Sequence, residues 1–327
     1  MSLRRQLGAL VHDWPRFLRH IAGDWRRIHN RDEEIVTDGR GVLCRWEYGS
    51  DLHLPRIQPW TGGWLLRRAL ADHPVRLSDA PPIVADRPAV SFVIGHRGRE
   101  RLPQLRATLR SLAGQAQAAI ECVVVEQSAR PEIESDLPSW VRYFHTPVDP
   151  SLDYCRAATF NAGAAIARGD VLVLHDNDLL VPADYAAEMM ARAAEGWSFI
   201  DLKRFIFYLD EANTRRVLEG GPLRRARPST VTQNLHGGSI AATRRAFFDI
   251  GGFDEGFVGW GGEDLDFWER AGAHGHVYAH GYEPVVHLWH PAQKGKAHPE
   301  APGVRRYHEM RAVPAEERIR RLRASRP

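Results

Sequence analysis

Two short stretches concentrate the residue types that handle charged substrates. HDND, residues 175–178, sets Asp176 and Asp178 two apart where an apolar run ends. An extended ending would point both carboxylates the same way; a turn would let one bind a metal directly and the other through water. Hard carboxylate oxygens suit Mg²⁺ or Mn²⁺, which in turn bind phosphates. Asp-Asn-Asp is also a common turn and helix-capping composition. HLWHP, residues 287–291, sets His287 and His290 three apart after the apolar run Pro284 to Val286. Imidazole beside carboxylates favours Mn²⁺ over Mg²⁺. With sixteen histidines in the chain, chance spacing is the competing reading.

A third stretch, FVGWGGEDLDFWERAG at 257–272, places a Gly-Trp-Gly-Gly loop directly before Glu263 and Asp264. Acids are favoured in the first turn of any helix, opposite its positive dipole end. The alternative is a loop that closes over a ligand, with the carboxylates acting on it. HRGRER at 96–101 supplies Arg97, Arg99 and Arg101, and Arg156 lies in DYCRAATFNAG. Guanidinium groups at a strand end suit bidentate phosphate contact, and a solvated basic loop is equally consistent. No loop has the Walker A or GxGxxG pattern, which excludes P-loop and dinucleotide-binding readings. Gly237-Gly238 and Gly251-Gly252 allow close backbone approach to a ligand, or merely tight turns.

These residues need elements to position them. Residues 89–95, 121–128 and 170–178 read as buried strands, with a further short strand at 141–144. Leu102 to Leu112 and Ala157 to Ala167 have helical character. Strand-helix-strand alternation argues a mostly parallel sheet with helices on both faces, whose ligands bind at the carboxyl ends of strands. His96, Arg97 and Arg99 follow the first strand, Glu126 ends the second, and Asp176 and Asp178 follow the third.

At 327 residues the chain holds one large domain with smaller additions, and 43% hydrophobic with 26% charged residues is a globular balance. A net charge of +3 argues against nucleic acid as partner. Charge is uneven, however: residues 1–30 carry six arginines against two aspartates. There Leu7, Leu10, Val11, Trp14, Leu18, Ile21 and Trp25 fall near helical spacing. That pattern fits a helix packed on the main domain or an interfacial helix on an anionic membrane. Cys44, Cys122 and Cys155 lack metal-ligand spacing and cannot all pair, which fits a reducing compartment. No apolar run approaches the roughly 18 residues of a membrane span, and no signal-peptide pattern is present. The expected location is cytoplasmic, with the N-terminal segment available to the inner face of the membrane. The expected divisions are an extension at 1–85, joined through the Pro-containing stretch 80–88, a main domain at 86–300 and a basic tail at 301–327.

AVSFVIGHRGRE, DYCRAATFNAGAA, VLHDNDLLVP, GGSIAATRRAFFDIGGFDEGFVGWGGEDLDFWERAG and the late HLWH, in this order, resemble the GT-A glycosyltransferases. The likeness is to the β-1,4-galactosyltransferase family and to bacterial chondroitin-polymerase-type hexosaminyltransferases, and it spans roughly residues 88–300. It implies an α/β, Rossmann-like GT-A fold and a UDP-sugar donor held with Mn²⁺ or Mg²⁺. Asp178 and His290 would ligate the metal, with His287 standing where the galactosyltransferases have Met, and Asp176 near the ribose or a metal-bound water. Gly95, His96, Arg97, Arg99, Tyr154 and Arg156 would hold the nucleotide and phosphates. Glu126, Asn177, Lys203, Leu235, Gly238, Gly261 and Gly262 would complete the nucleotide-sugar contacts, and Trp260 would cover the donor.

Asp264 takes the base position of the inverting family, and Glu263 would bind the acceptor or orient the loop. The similar segment of retaining polypeptide N-acetylgalactosaminyltransferases has Asn in place of Asp264, which favours inversion. Two positions depart from the galactosyltransferases: Leu265 replaces an acid that grips N-acetylglucosamine, and Leu235 replaces a Tyr that crowds the donor C2 substituent. The resemblance therefore implies transfer of a hexose or N-acetylhexosamine to a saccharide or glycoconjugate hydroxyl; with no membrane-anchor run, which Golgi relatives have, bacterial surface-polysaccharide or glycoconjugate assembly is expected. A retaining enzyme of the N-acetylgalactosaminyltransferase type and a catalytically silent sugar-nucleotide-binding module are the other readings.

Overall fold

The strand Val90–His96 is buried along its whole length, as expected of a central strand covered on both faces. Its residues alternate between two cores: Val90, Phe92 and Ile94 enter one, Val93 the other. The helix Leu102–Ala113 closes the first core with Leu102, Leu105, Leu109 and Leu112. The helix Arg156–Ile166 closes the second with Ala157, Phe160 and Ala164. Each fully buried Leu or Phe side chain among them contributes about 1.5–3 kcal/mol. Helices thus cover both faces of an α/β sheet.

This computed structural model describes residues 3–30, 33–35, 42–44, 49–233, 235–279, 281–292 and 300–325. The side chains of Arg4, Arg5 and Cys44 lie outside the described set. The main sheet has seven strands in the order Val277–Tyr278, Phe199–Ile200, Ser239–Thr243, Val171–His175, Val90–His96, Ile120–Ser128, Val141–Pro147. Four of its pairings are parallel, and Ser239–Thr243 runs antiparallel to both neighbours.

A second, five-stranded sheet runs Ser50–Asp51, Thr230–Gln233, Lys203–Tyr208, Glu283–His287, Leu179–Leu180. The chain passes from Val171–His175 in the first sheet to Leu179–Leu180 in the second through Asp176, Asn177 and Asp178. The strand predicted over 170–178 therefore stops at His175, and the acids occupy the turn between sheets.

Residues before 85 share their core with the second sheet. Phe17, Trp25, Leu65 and Leu66 pack with Phe205, Phe207 and Val286. Polar ties reinforce the packing: the Asp13 carboxylate accepts from the Leu54 N–H at 2.7 Å, and Arg204 donates to the Arg26 and Ile28 carbonyls. In the stretch 80–88, the Ile83 carbonyl accepts from the Ile120 N–H. At the other end, the helices Pro302–Met310 and Ala315–Ala324 pack on Glu263–His274. Cys122 and Cys155 are buried and unbridged. Among the described residues no helix is long and apolar enough to cross a membrane.

Candidate active site

The antiparallel register His287↔Leu179 fixes where the acids and histidines meet. It sets Asp178 beside the end of Glu283–His287, where the Leu288 N–H donates to the Asp178 carbonyl at 2.8 Å. Asp178 Oδ1 then lies 3.7 Å from His287 Nε2, and Oδ2 lies 3.3 Å from His290 Nε2. One ligand atom from each of the three falls within 4.8 Å of the others. Asp178 is 3% exposed, and its Oδ1 receives no hydrogen bond. Burial opposes its ionisation, but His287, Arg101 and His290 hold the carboxyl below its ordinary range. Burial, together with Arg101 and His287, pushes the His290 imidazole down to about 4, so it is a neutral donor. A buried carboxylate oxygen beside two imidazoles is a donor set that fits a divalent transition ion.

Asp176 faces the other way. Its Oδ1 accepts from Arg156 Nε at 2.7 Å, while Arg156 Nη1 donates to Asp264 Oδ1 at 2.7 Å and to Glu263 Oε1 at 3.2 Å. Three carboxylates thus crowd one guanidinium. Burial, with Asp178 and Asp264 nearby, pushes Asp176 up to about 6 against the pull of Arg156. Burial and the Asp264 charge push Glu263 up to about 7. Desolvation disfavours charge on Arg156, yet its three acidic neighbours raise its pKa and keep it ionised. Of the two DND acids, Asp176 is therefore absent from the Asp178–His287–His290 cluster.

Glu263 and Asp264 open the helix Glu263–His274, where the positive end of the helix supports their charge. The preceding glycines are explained by backbone conformation: Gly259, Gly261 and Gly262 have φ of +80°, +97° and +90°. A Cβ on Gly262 would also fall 2.6 Å from the Gly303 carbonyl, so the loop is backed by Pro302–Met310. Behind the helix, Asp266 is fully buried between Arg270 and Arg318, at 2.7 and 2.6 Å.

A cavity of about 850 Å³ joins these groups. Its lining includes Gly95, Arg97, Tyr154, Arg156, Asp176, Asn177, Asp178, Leu235, Gly238, Trp260, Gly261, Gly262, Glu263, Asp264, Leu265, His287 and His290. Four residues proposed from the sequence point elsewhere. His96 is buried, accepting at Nδ1 from Asn177 and bonding through Nε2 to the Gly98 carbonyl, so it orders the turn from behind. Arg99 is exposed and pairs with Asp136 at 2.9 Å. Glu126 accepts from Tyr143, Ser128 and the Glu132 and Ile133 N–H groups, organising the loop after its strand. Lys203 donates to Asp201 and to the Ser239 carbonyl, at 2.7 and 2.6 Å.

Among the remaining lining residues, Arg101, Tyr208 and Gly237 make contacts that the sequence did not assign individually. Arg101, which ends a single 3₁₀ turn before Leu102–Ala113, donates to Asp178 and to Asn177 Oδ1. The stretch HRGRER offered it as a guanidinium, but the resemblance named Arg97 and Arg99 instead. Tyr208 stacks on His287 with ring centroids 4.5 Å apart, a contact no local motif signals. Gly237 stands so close to Asp264 that a Cβ would lie 2.2 Å from Oδ2; the Gly-Gly pair was its only signal.

A family model described as Glycosyl transferase family 2 matches residues 91–251, and one described as N-terminal domain of galactosyltransferase matches 223–288. Over residues 91–288 the chain is similar to glycosyltransferases with the GT-A fold. Within that class it resembles the β-1,4-galactosyltransferase family.

Similar solved structures include the catalytic domain of Drosophila β1,4-galactosyltransferase 7 complexed with xylobiose (17% identity, 62% of this chain and 66% of that chain, TM-score 0.32). Mannosyltransferase PcManGT from Pyrobaculum calidifontis, in complex with GDP-Man and Mn²⁺, matches at 17% identity, 81% of each chain and TM-score 0.43. GalNAc-T7 with UDP, GalNAc and Mn²⁺ matches at 17% identity, 70% of this chain and 48% of that chain, TM-score 0.48. The chain thus spans just under two thirds of the first and about half of the third. No curated protein matches it.

Proposed function

We propose that the protein is an inverting, metal-dependent glycosyltransferase that moves a hexose or N-acetylhexosamine from a UDP-sugar to a hydroxyl of a saccharide or glycoconjugate. The observation that carries this is the placement of Asp264 in the same cavity as the Asp178–His287–His290 cluster. Asp178, His290 and His287 would hold Mn²⁺ or Mg²⁺, which supplies positive charge for the diphosphate leaving group. Arg97, Arg101 and Arg156 line the wall available to phosphate, with Gly95, Tyr154, Asn177 and Gly238 along the nucleotide-sugar path. Asp264 takes the proton of the acceptor hydroxyl as its oxygen bonds to the anomeric carbon and the bond to the diphosphate oxygen breaks. Glu263 orients the loop through Arg156, and Trp260 with its left-handed glycines excludes water from the donor.

Leu235 and Leu265 are the proposed specificity positions: Leu235 leaves space beside the donor C2 substituent, and Leu265 removes an acid from the acceptor side. A panel of UDP-sugars, with and without Mn²⁺, tests the reading through slow donor hydrolysis, and NMR of a transfer product gives its anomeric configuration. Metal-dependent turnover of UDP-N-acetylhexosamine with inversion is expected. Retention, or strict preference for a non-UDP donor, would overturn it.

The physiological placement proposed is bacterial surface-polysaccharide assembly at the inner face of the membrane. Leu3, Leu7, Leu10, Val11 and Leu18 are each more than half exposed, while Ala9, Asp13 and Phe17 face the body. Trp60, partly exposed, adjoins Trp14 and Phe17. Arg16 and Arg19 flank this stripe and the nearest acid, Asp13, is buried, which suits an anionic bilayer surface. Co-sedimentation with phosphatidylglycerol vesicles but not with phosphatidylcholine, lost in Leu10→Glu, is the expected result.

A further inference from the structure

Away from the cavity, three side chains from three separate elements converge on one point. His73 caps the helix Pro59–Asp72, Asp184 precedes the helix Tyr185–Ala194, and Glu283 opens the strand Glu283–His287. His73 Nδ1 lies 3.1 Å from Glu283 Oε2 and 3.7 Å from Asp184 Oδ2. A ligand atom from each lies within 4.8 Å of the others. His73 Nδ1 and Glu283 Oε2 are shielded from solvent and pair at 3.1 Å without hydrogen-bond alignment, and Asp184 Oδ1, shielded beside them, makes no hydrogen bond. Glu283 is 4% exposed, and its Oε2, which meets His73 only as an ion-pair partner, faces the other two groups with no access to water. A buried acceptor left this way costs about 1–3 kcal/mol unless something else satisfies it.

Charge points the same way. Against the cost of burial, Asp184 and Glu283 push the His73 imidazole up to about 10, and one imidazolium balances only one of the two carboxylates. The next charges are Arg76 beside Asp184 and Glu188 beside Glu283, and they offset each other. A divalent ion with a neutral imidazole balances both carboxylates. One nitrogen and two carboxylate oxygens form a donor set suited to Zn²⁺ and neighbouring first-row ions.

We propose that His73, Asp184 and Glu283 bind a divalent transition-metal ion at a site distinct from the Asp178 cluster. The Asp184 side chain is 41% exposed and provides the path of entry and room for water as a further ligand. Glu283 and His287 stand at the two ends of one strand, about 13 Å apart at the usual rise per residue. The ion would tie the N-terminal segment to the strand that carries His287. The inference does not depend on the transferase reading, and its test needs no turnover.

The experiment uses the full chain carrying Asp178→Ala and His290→Ala, which disables the other cluster, stripped with chelator and dialysed against ZnCl₂. Retention of about one equivalent of zinc, with a rise in thermal midpoint on adding it, is the expected result. Adding His73→Ala, or the near-isosteric Glu283→Gln, is expected to remove both the zinc and the rise. The proposal is overturned if the double variant retains no zinc, the outcome for a simple protonated His73 ion pair. It is equally overturned if both added substitutions leave the zinc content unchanged.

Discussion

Arg156 Nη1 donates to Asp264 Oδ1 at 2.7 Å, joining the first residue of one helix to the second residue of another. A guanidinium at a helix N-terminus opposes the helix dipole, and the carboxylates around Arg156 offset that cost. The contact holds the Asp264 carboxylate on the cavity wall without filling its second oxygen.

Replacing that carboxylate with an amide keeps its shape and removes its basicity. Asp264→Asn is expected to lower transfer by about 10²–10⁴-fold while UDP binding with Mn²⁺, followed by calorimetry, stays near wild type. Near-normal turnover would remove Asp264 as the base.

The metal assignment makes a separate prediction. Asp178→Ala and His290→Ala are each expected to weaken Mn²⁺-dependent UDP binding by at least about tenfold, as loss of one ligand should, with little change in UDP binding measured in chelator. Unchanged affinity in both variants would show that the ion lies elsewhere.

Gly237 provides a test of geometry rather than of chemistry. Its added Cβ would meet only the tip of the Asp264 side chain, 2.2 Å away, which can swing aside without unfolding anything. Gly237→Ala should therefore leave the thermal midpoint nearly unchanged while turnover falls by about 10–10²-fold, the size expected when a reacting group is misplaced by about 1 Å. A large loss of stability with normal turnover in the folded fraction would contradict this.

The shared charge around Arg156 predicts a pH dependence of stability. Glu263 titrates near 7 in the folded protein, above the ordinary carboxylate value of 4.5, because burial and Asp264 disfavour its charge. The folded state then binds the proton more tightly than the unfolded state. The associated stability is complete below about pH 4.5 and is lost as pH rises through about 7. Glu263→Gln removes that loss, so its thermal midpoint relative to wild type should climb between pH 5 and pH 8. A pH-independent difference would rule out the shift.

The sequence by itself determined the central strands, their covering helices and the three chemical stretches. Buried strands, amphipathic helices and Gly-rich turns are written in local periodicity and residue type. HDND, HLWH and GWGGED each offered a chemical reading beside a plain structural one, because carboxylates, imidazoles and glycines are distinctive in type but not in what they meet. Tertiary structure decided which of these residues meet. It turned Asp178 toward His287 and His290 but Asp176 toward Arg156, because the chain changes sheets within three residues. It set Arg101 against Asp178 and Arg99 against Asp136, and it committed His96, Glu126 and Lys203 to bonds outside the cavity lining. It also packed residues before 85 into the second sheet and braced the Asp264 helix with Arg318. Spacing along a chain fixes the direction a side chain takes from its own element; only the packing of distant elements fixes what it meets there.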